Sequence, residues 1–461
     1  MGNPKSTIIF FIVSVLAKIH ALRGSSVVRY GLTNLLPRSV AILSTLVLTP
    51  LAIGRLGILE YGIWALATLI PNLVSSPDFG ITYGVVNEMA KVHREHGHLR
   101  GERERLLGLT RLLGLIALGW LTVGSLGLAW YVFGGNVQTG LDPSLVYISL
   151  VTALAMFTLG IPPSLWGRVQ LAQERGHEYV LWEGIGKVVS LVASLLVLLL
   201  APSLMLLVIA TLLPNALAAY FNAWQYVRTA LGKQTEPSWP LSRVLQENRS
   251  VFGAGKYFFA FQVAYLIGNA VDPFLINKLL GTREVAYLTV ARRPFEALPL
   301  AVTLFSTALW PVFNRMNAEN RISDLRRVLA RLLVGSAGIL AILSIIIIVF
   351  SSAIYGYLGQ GKLEVETIDL VWISIFYIST TCIIVLNSYM NAVDLLSKQM
   401  WVLIFSAVLG VVVKALSLQI GGMSSYLFAN SITYIATALI PMAWIVFQHI
   451  RKRSLDQVSL T

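Results

Sequence analysis

The chain is dominated by apolar runs long enough to cross a bilayer, and this feature limits its folds more than any other. A helix needs about twenty apolar residues to span the hydrocarbon core. Reading hydropathy against helix breakers places such helices at roughly 30–54, 60–90, 106–133, 144–172, 179–200 and 203–228. A second set follows at roughly 250–279, 284–314, 326–352, 367–393, 399–418 and 424–449. Hydrophobic residues make up 56% of the 461 residues and charged residues 12%, against about 45–50% and 25% in soluble domains. A soluble chain with this balance would expose large apolar patches and aggregate. The fold class is therefore all-α: a polytopic membrane protein with about twelve transmembrane helices, expected as two six-helix lobes around a central cavity.

Breakers divide the chain. Gly54-Arg55-Leu56-Gly57 separates the first two helices, Gly134-Gly135-Asn136 through Pro143 the third and fourth, and Ala201-Pro202-Ser203 closes a tight hairpin. The longest central loop, Gly232 to Asn248, carries Pro237, Trp239 and Pro240 and reads as a linker. The expected organisation is an N-terminal segment 1–25, a first lobe 26–231, a cytoplasmic linker 232–249, a second lobe 250–450 and a cytoplasmic tail 451–461. The run Thr7 to Ala17, flanked by Lys5, Lys18 and Arg23, is too short to span and reads as an interfacial helix.

Basic residues set the orientation. With both termini in the cytoplasm, the inner loops hold Lys91, Arg94, Arg100, Arg103, Arg105, Arg228, Lys233, Arg243, Arg249 and Lys256. They also hold Arg315, Arg321, Arg326, Arg327 and Arg331, and the tail adds Arg451-Lys452-Arg453. The outer loops hold Arg55, Lys278, Arg283, Lys362 and Lys414. The formal charge of +13 thus reflects topology, not nucleic-acid binding. Short loops and the lack of an export sequence fit a cell inner (plasma) membrane, bacterial or archaeal.

The chain repeats itself weakly. Pro50 to Gly57 leads to Glu60-Tyr61, and Pro273 to Gly281 leads to Glu284 and Tyr287. Both join the first and second helices of a half on the same side of the membrane. A parallel repeat about the membrane normal, with a cavity between the halves, is the expected arrangement.

Enzyme motifs are ruled out one by one. Gly356 to Gly361-Lys362 has phosphate-loop spacing, but Leu363 follows where Ser or Thr is needed. His93, His96 and His98 cluster in a basic inner loop and read as solvated. The single cysteine, Cys382, sits in an apolar run and reads as a small buried residue. No cofactor, metal site or enzymatic activity is expected. The informative residues are charges inside spans, where a central Arg or Lys costs about 2.5–3.5 kcal/mol and faces a cavity or a partner. The cations are Arg38, Lys187, Arg292 and Arg293; the acids are Asp78, Asp272 and Glu296. Glu296 can pair with Arg292 or Arg293 within its helix, Asp272 can pair across to the eighth helix, and Lys187 can snorkel or pair with Glu183. A cationic cavity suits an anionic substrate, because Arg binds phosphate oxygens bidentately.

The segment Leu56-Gly57-Ile58-Leu59-Glu60-Tyr61-Gly62-Ile63-Trp64-Ala65-Leu66 resembles the first-loop signature of polysaccharide transporters. Asp78-Phe79-Gly80-Ile81 is similar to a step late in their second helix, and Leu280 to Tyr287 echoes the signature. The chain looks like an O-antigen or exopolysaccharide flippase of the multidrug, oligosaccharidyl-lipid and polysaccharide exporter superfamily. That resemblance implies V-shaped lobes and alternating access. It implies a polyprenyl-diphosphate-linked oligosaccharide, a lipopolysaccharide or exopolysaccharide repeat unit, moved to the outer leaflet. Partners would be that glycan, membrane lipids and polysaccharide polymerase machinery. Arg38, Arg292, Arg293 and Lys187 would hold the diphosphate, and Asp78, Asp272 or Glu296 would couple an ion. The alternatives are a cation-coupled drug or metabolite antiporter of the same superfamily, disfavoured by the arginines, and a membrane glycan polymerase or glycosyltransferase, for which loops and domains are too small.

Overall fold

The computed structural model describes residues 33–73, 78, 80–135, 137, 140–231, 237, 239–248, 263–264, 266–299, 302, 313–317, 319–393 and 395–458. The interfacial helix expected before residue 26 lies outside them, as do 249–262 and most of 300–312, so the described residues do not fix the number of spans at twelve. In the first half the helices are α1 (Leu35–Leu56), α2 (Ile58–Leu73), α3 (Ile81–His96), α4 (Arg103–Phe133), α5 (Pro143–Leu159), α6 (Ile161–Ala172), α7 (Gly176–Leu200) and α8 (Leu204–Tyr226). A short α9 (Leu241–Glu247) follows in the linker. In the second half they are α10 (Asp272–Leu280), α11 (Thr282–Glu296), α12 (Ile322–Val349), α13 (Ser351–Leu358), α14 (Thr367–Ala392), α15 (Leu396–Tyr434) and α16 (Ile440–Val458).

Several boundaries differ from the sequence reading. The second span is not one helix throughout: Gly80, at φ +81°, stands in the left-handed region just before α3 starts at Ile81. The fourth is divided at Gly160, where Pro162 and Pro163 open α6. The eleventh and twelfth spans run on through α15, parted by the non-helical pair Gly421 and Gly422. The linker is partly helical and docked. Val244 of α9 packs against Gly108, and Arg105 bonds Asn248 Oδ1 at 2.9 Å while pairing with Glu88 at 2.8 Å.

The repeat is visible in the backbone. The α1–α2 joint is Gly57 at φ +90°, ψ 171°, and the α10–α11 joint is Gly281 at φ +97°, ψ 171°. Glycine alone adopts that region readily. The register aligns Gly57 with Gly281, as the echo of Leu56-Gly57 in Leu280-Gly281 has it, and leaves Pro50 and Pro273 one residue out of step.

The described residues pack around three cores. One gathers Tyr61, Trp64 and Ile63 of the first half with Val285, Ala286, Tyr355 and Tyr426 of the second. This core sits at the end that carries both glycine joints. There Tyr131 Oη donates to Phe274 O at 3.0 Å and Lys362 Nζ to Ile53 O at 3.1 Å, both across the lobes. The other two cores belong to single lobes: Leu106, Trp166 and Tyr226 in the first, Phe313, Leu325 and Tyr389 in the second. The lobes are therefore joined at one end and carry separate cores at the other. Outward faces stay apolar, as at Val123, Leu126, Val334 and Ile342, which suits lipid contact.

Candidate functional site

Between the lobes lies a cavity of about 730 Å³, a size typical of ligand sites. Its walls come from α1 (Ala41, Ser44, Thr45, Leu48), α2 (Trp64, Thr68), α7, α8, α11 and α14. The charged side chains on the wall are Lys187, Arg292, Arg293 and Glu296. Three cations face one carboxylate, a formal excess of two positive charges.

α7 is placed by small residues. Gly186, Ser190 and Ser194 recur every four positions and are buried, the pattern that lets membrane helices approach closely. Ser190 Oγ donates to Thr211 O at 2.7 Å, and Trp64 Nε1 donates to Thr211 Oγ1 at 3.1 Å. This packing brings Lys187 to the cavity. It forms no ion pair with Glu183, contrary to the pairing expected from their spacing; among the described residues neither side chain has a hydrogen-bond or ion-pair partner.

Arg292 is held firmly. Its guanidinium carbon lies 5.8 Å from the ring centroids of both Phe376 and Tyr426, and Nη2 donates to Tyr426 Oη at 2.9 Å. Tyr426 Oη in turn donates to Asp272 Oδ2 at 2.7 Å. Lys414 Nζ takes Asp272 Oδ1 at 2.6 Å and also donates to the carbonyl of Gly268, in the π-helical turn Leu266–Ala270 just before α10. Asp272 and Lys414 are 2% and 1% exposed. The sequence reading put Lys414 in an outer loop; instead it lies inside α15, paired with an acid of another helix, and Asp272 is paired with it and not with the eighth span. Arg293 Nη1 donates to Glu296 Oε2 at 3.1 Å, while its buried Nε has no partner among the described residues.

The remaining candidates lie off the cavity wall. Arg38 lies in α1 (Leu35–Leu56), on the stripe that continues to Ala41, Thr45 and Leu48. Its Nη1 is buried without a partner among the described residues. Asp78 accepts from the backbone N–H of Thr82 at 2.6 Å and of Gly80 at 3.4 Å. It thereby caps the start of α3. Among the described residues no group of three His, Cys, Asp or Glu is placed to hold a metal. Sequence reasoning missed Tyr426, Tyr377, Asn215 and Asn387. The signal for the two asparagines was available, since each is an amide inside an apolar run.

The described residues thus form an all-helical, two-lobed membrane chain with a cavity at the lobe interface, and the same fold recurs in solved membrane proteins. A multidrug resistance MATE family transporter of the MOP superfamily in its inward-facing conformation superposes with a TM-score of 0.73 at 13% identity, covering 91% of this chain and 99% of that one. The outward-facing conformation of such a MATE transporter gives 0.55 at 15% identity, over 93% and 96%. The lipid II flippase MurJ, inward closed, gives 0.67 at 12% identity, over 93% and 90%. No curated protein matches significantly. The family model described as polysaccharide biosynthesis protein matches residues 32–317, more than half of the chain. The chain belongs to that family.

Proposed function

We propose that this protein flips a polyprenyl-diphosphate-linked oligosaccharide, an O-antigen or exopolysaccharide repeat unit, from the cytoplasmic to the outer leaflet of a cell inner (plasma) membrane. The observation that carries this reading is the interlobe cavity whose charged lining, among the described residues, is Lys187, Arg292 and Arg293 against Glu296. A diphosphate needs cations of this kind, and guanidinium groups match its oxygens in geometry. The excess positive charge disfavours a cationic drug. Both termini are cytoplasmic in this reading, so the glycine-joint end is outer and the cavity opens inward, ready to load. Arg38 stands toward the mouth on the α1 stripe. The polyprenyl tail stays in lipid, and rocking of the lobes exchanges access. Delivery to a polymerase on the outer side is the expected next step. Asp272 and Asp78 are left out of ion coupling, the first being occupied by Lys414 and Tyr426 and the second by backbone N–H groups; Glu296 remains the acid facing the cavity.

The test is reconstitution with a polyprenyl-diphosphate oligosaccharide loaded in one leaflet, read by a membrane-impermeant glycan-trimming enzyme. Wild type exposes the sugar on the far side. Arg292→Ala and Arg293→Ala each slow the transfer by about ten- to a hundredfold, the worth of a charge-assisted hydrogen bond of about 1.5–3 kcal/mol. Wild-type vesicles that leave the sugar where it was, while exchanging a cationic dye for protons, would overturn the proposal in favour of the antiporter.

A further inference from the structure

A second cavity, of about 270 Å³, opens off the central one inside the first lobe. Both have Pro71, Lys187, Leu212 and Asn215 in their walls, so Lys187 stands at the doorway. Beyond it the wall carries the rings of Phe157, Tyr179 and Trp182 and the carboxylate of Glu183. Two features separate this space from a packing gap. Glu183 and Lys187 have the i, i+4 spacing that ordinarily joins Glu to Lys on one helix face. Here they do not pair, and among the described residues each lacks a partner. A charge left without a partner inside a membrane span is expensive, and such residues mark substrate pathways. The second feature is rigidity. The Trp182 indole stacks on Phe221, with centroids 6.1 Å apart and planes at 15°, and its Nε1 donates to Gln225 Oε1 at 2.9 Å.

Fixed apolar ring surface beside a hydrogen-bond acceptor matches a pyranose, whose C–H face is apolar and whose rim is a ring of hydroxyl donors. A cation at the doorway matches a phosphate joined to that sugar. We propose that the side cavity receives the first sugar of the diphosphate-linked glycan. Lys187 meets the sugar-proximal phosphate, Glu183 accepts hydrogen bonds from the sugar hydroxyls, and the rings of Trp182, Tyr179 and Phe157 border the pyranose. At 270 Å³ against 730 Å³, the side cavity takes one ring and the rest of the glycan stays in the central cavity. The first sugar is therefore where the protein discriminates among substrates. This inference rests on the reading of the central cavity as a lipid-diphosphate site.

The test is equilibrium binding to the purified full-length protein in detergent. The probes are farnesyl diphosphate and the same diphosphate carrying one glucose, galactose or N-acetylglucosamine. At least one sugar-bearing probe binds wild type about tenfold more tightly than farnesyl diphosphate, roughly one well-made polar contact in affinity terms. Glu183→Gln and Trp182→Ala bring that gain to within about twofold, yet keep wild-type affinity for the bare diphosphate, which also shows that they are folded. Lys187→Gln weakens all four probes. A wild type that gains nothing from any sugar, or a gain that survives in both Glu183→Gln and Trp182→Ala, overturns the sugar site while leaving the diphosphate site standing. A wild type that binds none of the four removes the lipid-diphosphate reading itself.

Discussion

Lys414 and Asp272 are the most consequential pair of side chains outside the cavity wall. Each is almost fully buried, and each oxygen of the carboxylate has a donor: Lys414 on one, Tyr426 on the other. Removing one member of such a pair leaves an unmatched charge in low dielectric, whereas replacing both with apolar side chains of similar volume is often neutral. Lys414→Ala should therefore lower unfolding stability by about 3–5 kcal/mol, read as a fall in the thermal midpoint in detergent. The double variant Asp272→Leu with Lys414→Met should recover most of it. Recovery of stability without recovery of transport would show what the pair adds, because Asp272 holds Tyr426 and Tyr426 holds Arg292. If the double variant is as unstable as the single one, packing and not charge pairing governs the site. The charge itself was legible, as a lysine inside the run Trp401 to Leu418. Its meaning was not, because the partner acid lies 142 residues away in sequence, and a lysine a few residues from a run's end reads equally as a loop anchor. Arg292, Arg293 and Glu296 were easier: three charges within five residues of one span declare a polar face, and their i, i+3 ion pair is local.

The joint between helices is the feature that organises each half, and glycine is its chemical basis. At Gly57 an added Cβ would meet nothing within 4 Å, so the cost of Gly57→Ala is backbone strain alone. With φ at +90° and ψ at 171°, that strain is about 1–3 kcal/mol. The expected outcome is a lower thermal midpoint with an unchanged fold by circular dichroism. A midpoint equal to wild type would mean that the joint relaxes to another conformation at little cost. The echo was visible in the letters, and the matching of Leu56-Gly57 with Leu280-Gly281 gives the register that the dihedral angles give, whereas Pro50 and Pro273 are one residue out of it. Other elements escaped the hydropathy reading for a related reason. A window of apolar residues does not distinguish one long helix from two short ones: the second span breaks at the left-handed Gly80, and the fourth at Gly160 ahead of prolines of a kind tolerated elsewhere, as Pro50 and Pro214 are inside α1 and α8. The basic stretch from His93 to Arg105 reads from sequence as topology and anionic lipid contact; in the structure Arg105 also ties α9 of the linker to the first lobe.

At the scale of the molecule, lobes joined by a shared core at one end and carrying separate cores at the other suit the rocking proposed for transport. Lobe number and cavity were legible from the count of apolar runs and the placement of charge; which end is closed was not, because closure depends on contacts between segments hundreds of residues apart. One of those contacts offers a direct test. Lys362, in the turn between α13 and α14, donates to Ile53 O at 3.1 Å, 309 residues away. That carbonyl ends α1 and already accepts the Gly57 N–H at 3.1 Å, so it lies at the negative end of a helix dipole, where an ammonium is favoured. The bond exists only while the lobes touch at this end, which makes it a differential interaction between the two states, the kind that shifts a conformational equilibrium. Lys362→Gln removes a contact worth about 1 kcal/mol, a change of about fivefold in the population ratio. Spin labels at Arg55 and Glu364, exposed positions on opposite lobes, in a Cys382→Ser background, report that ratio as a distance distribution. The longer-distance population should grow by about that factor in the variant. An unchanged distribution would mean that the shared apolar core around Tyr61, Val285 and Tyr355 holds this end shut without help from the lysine.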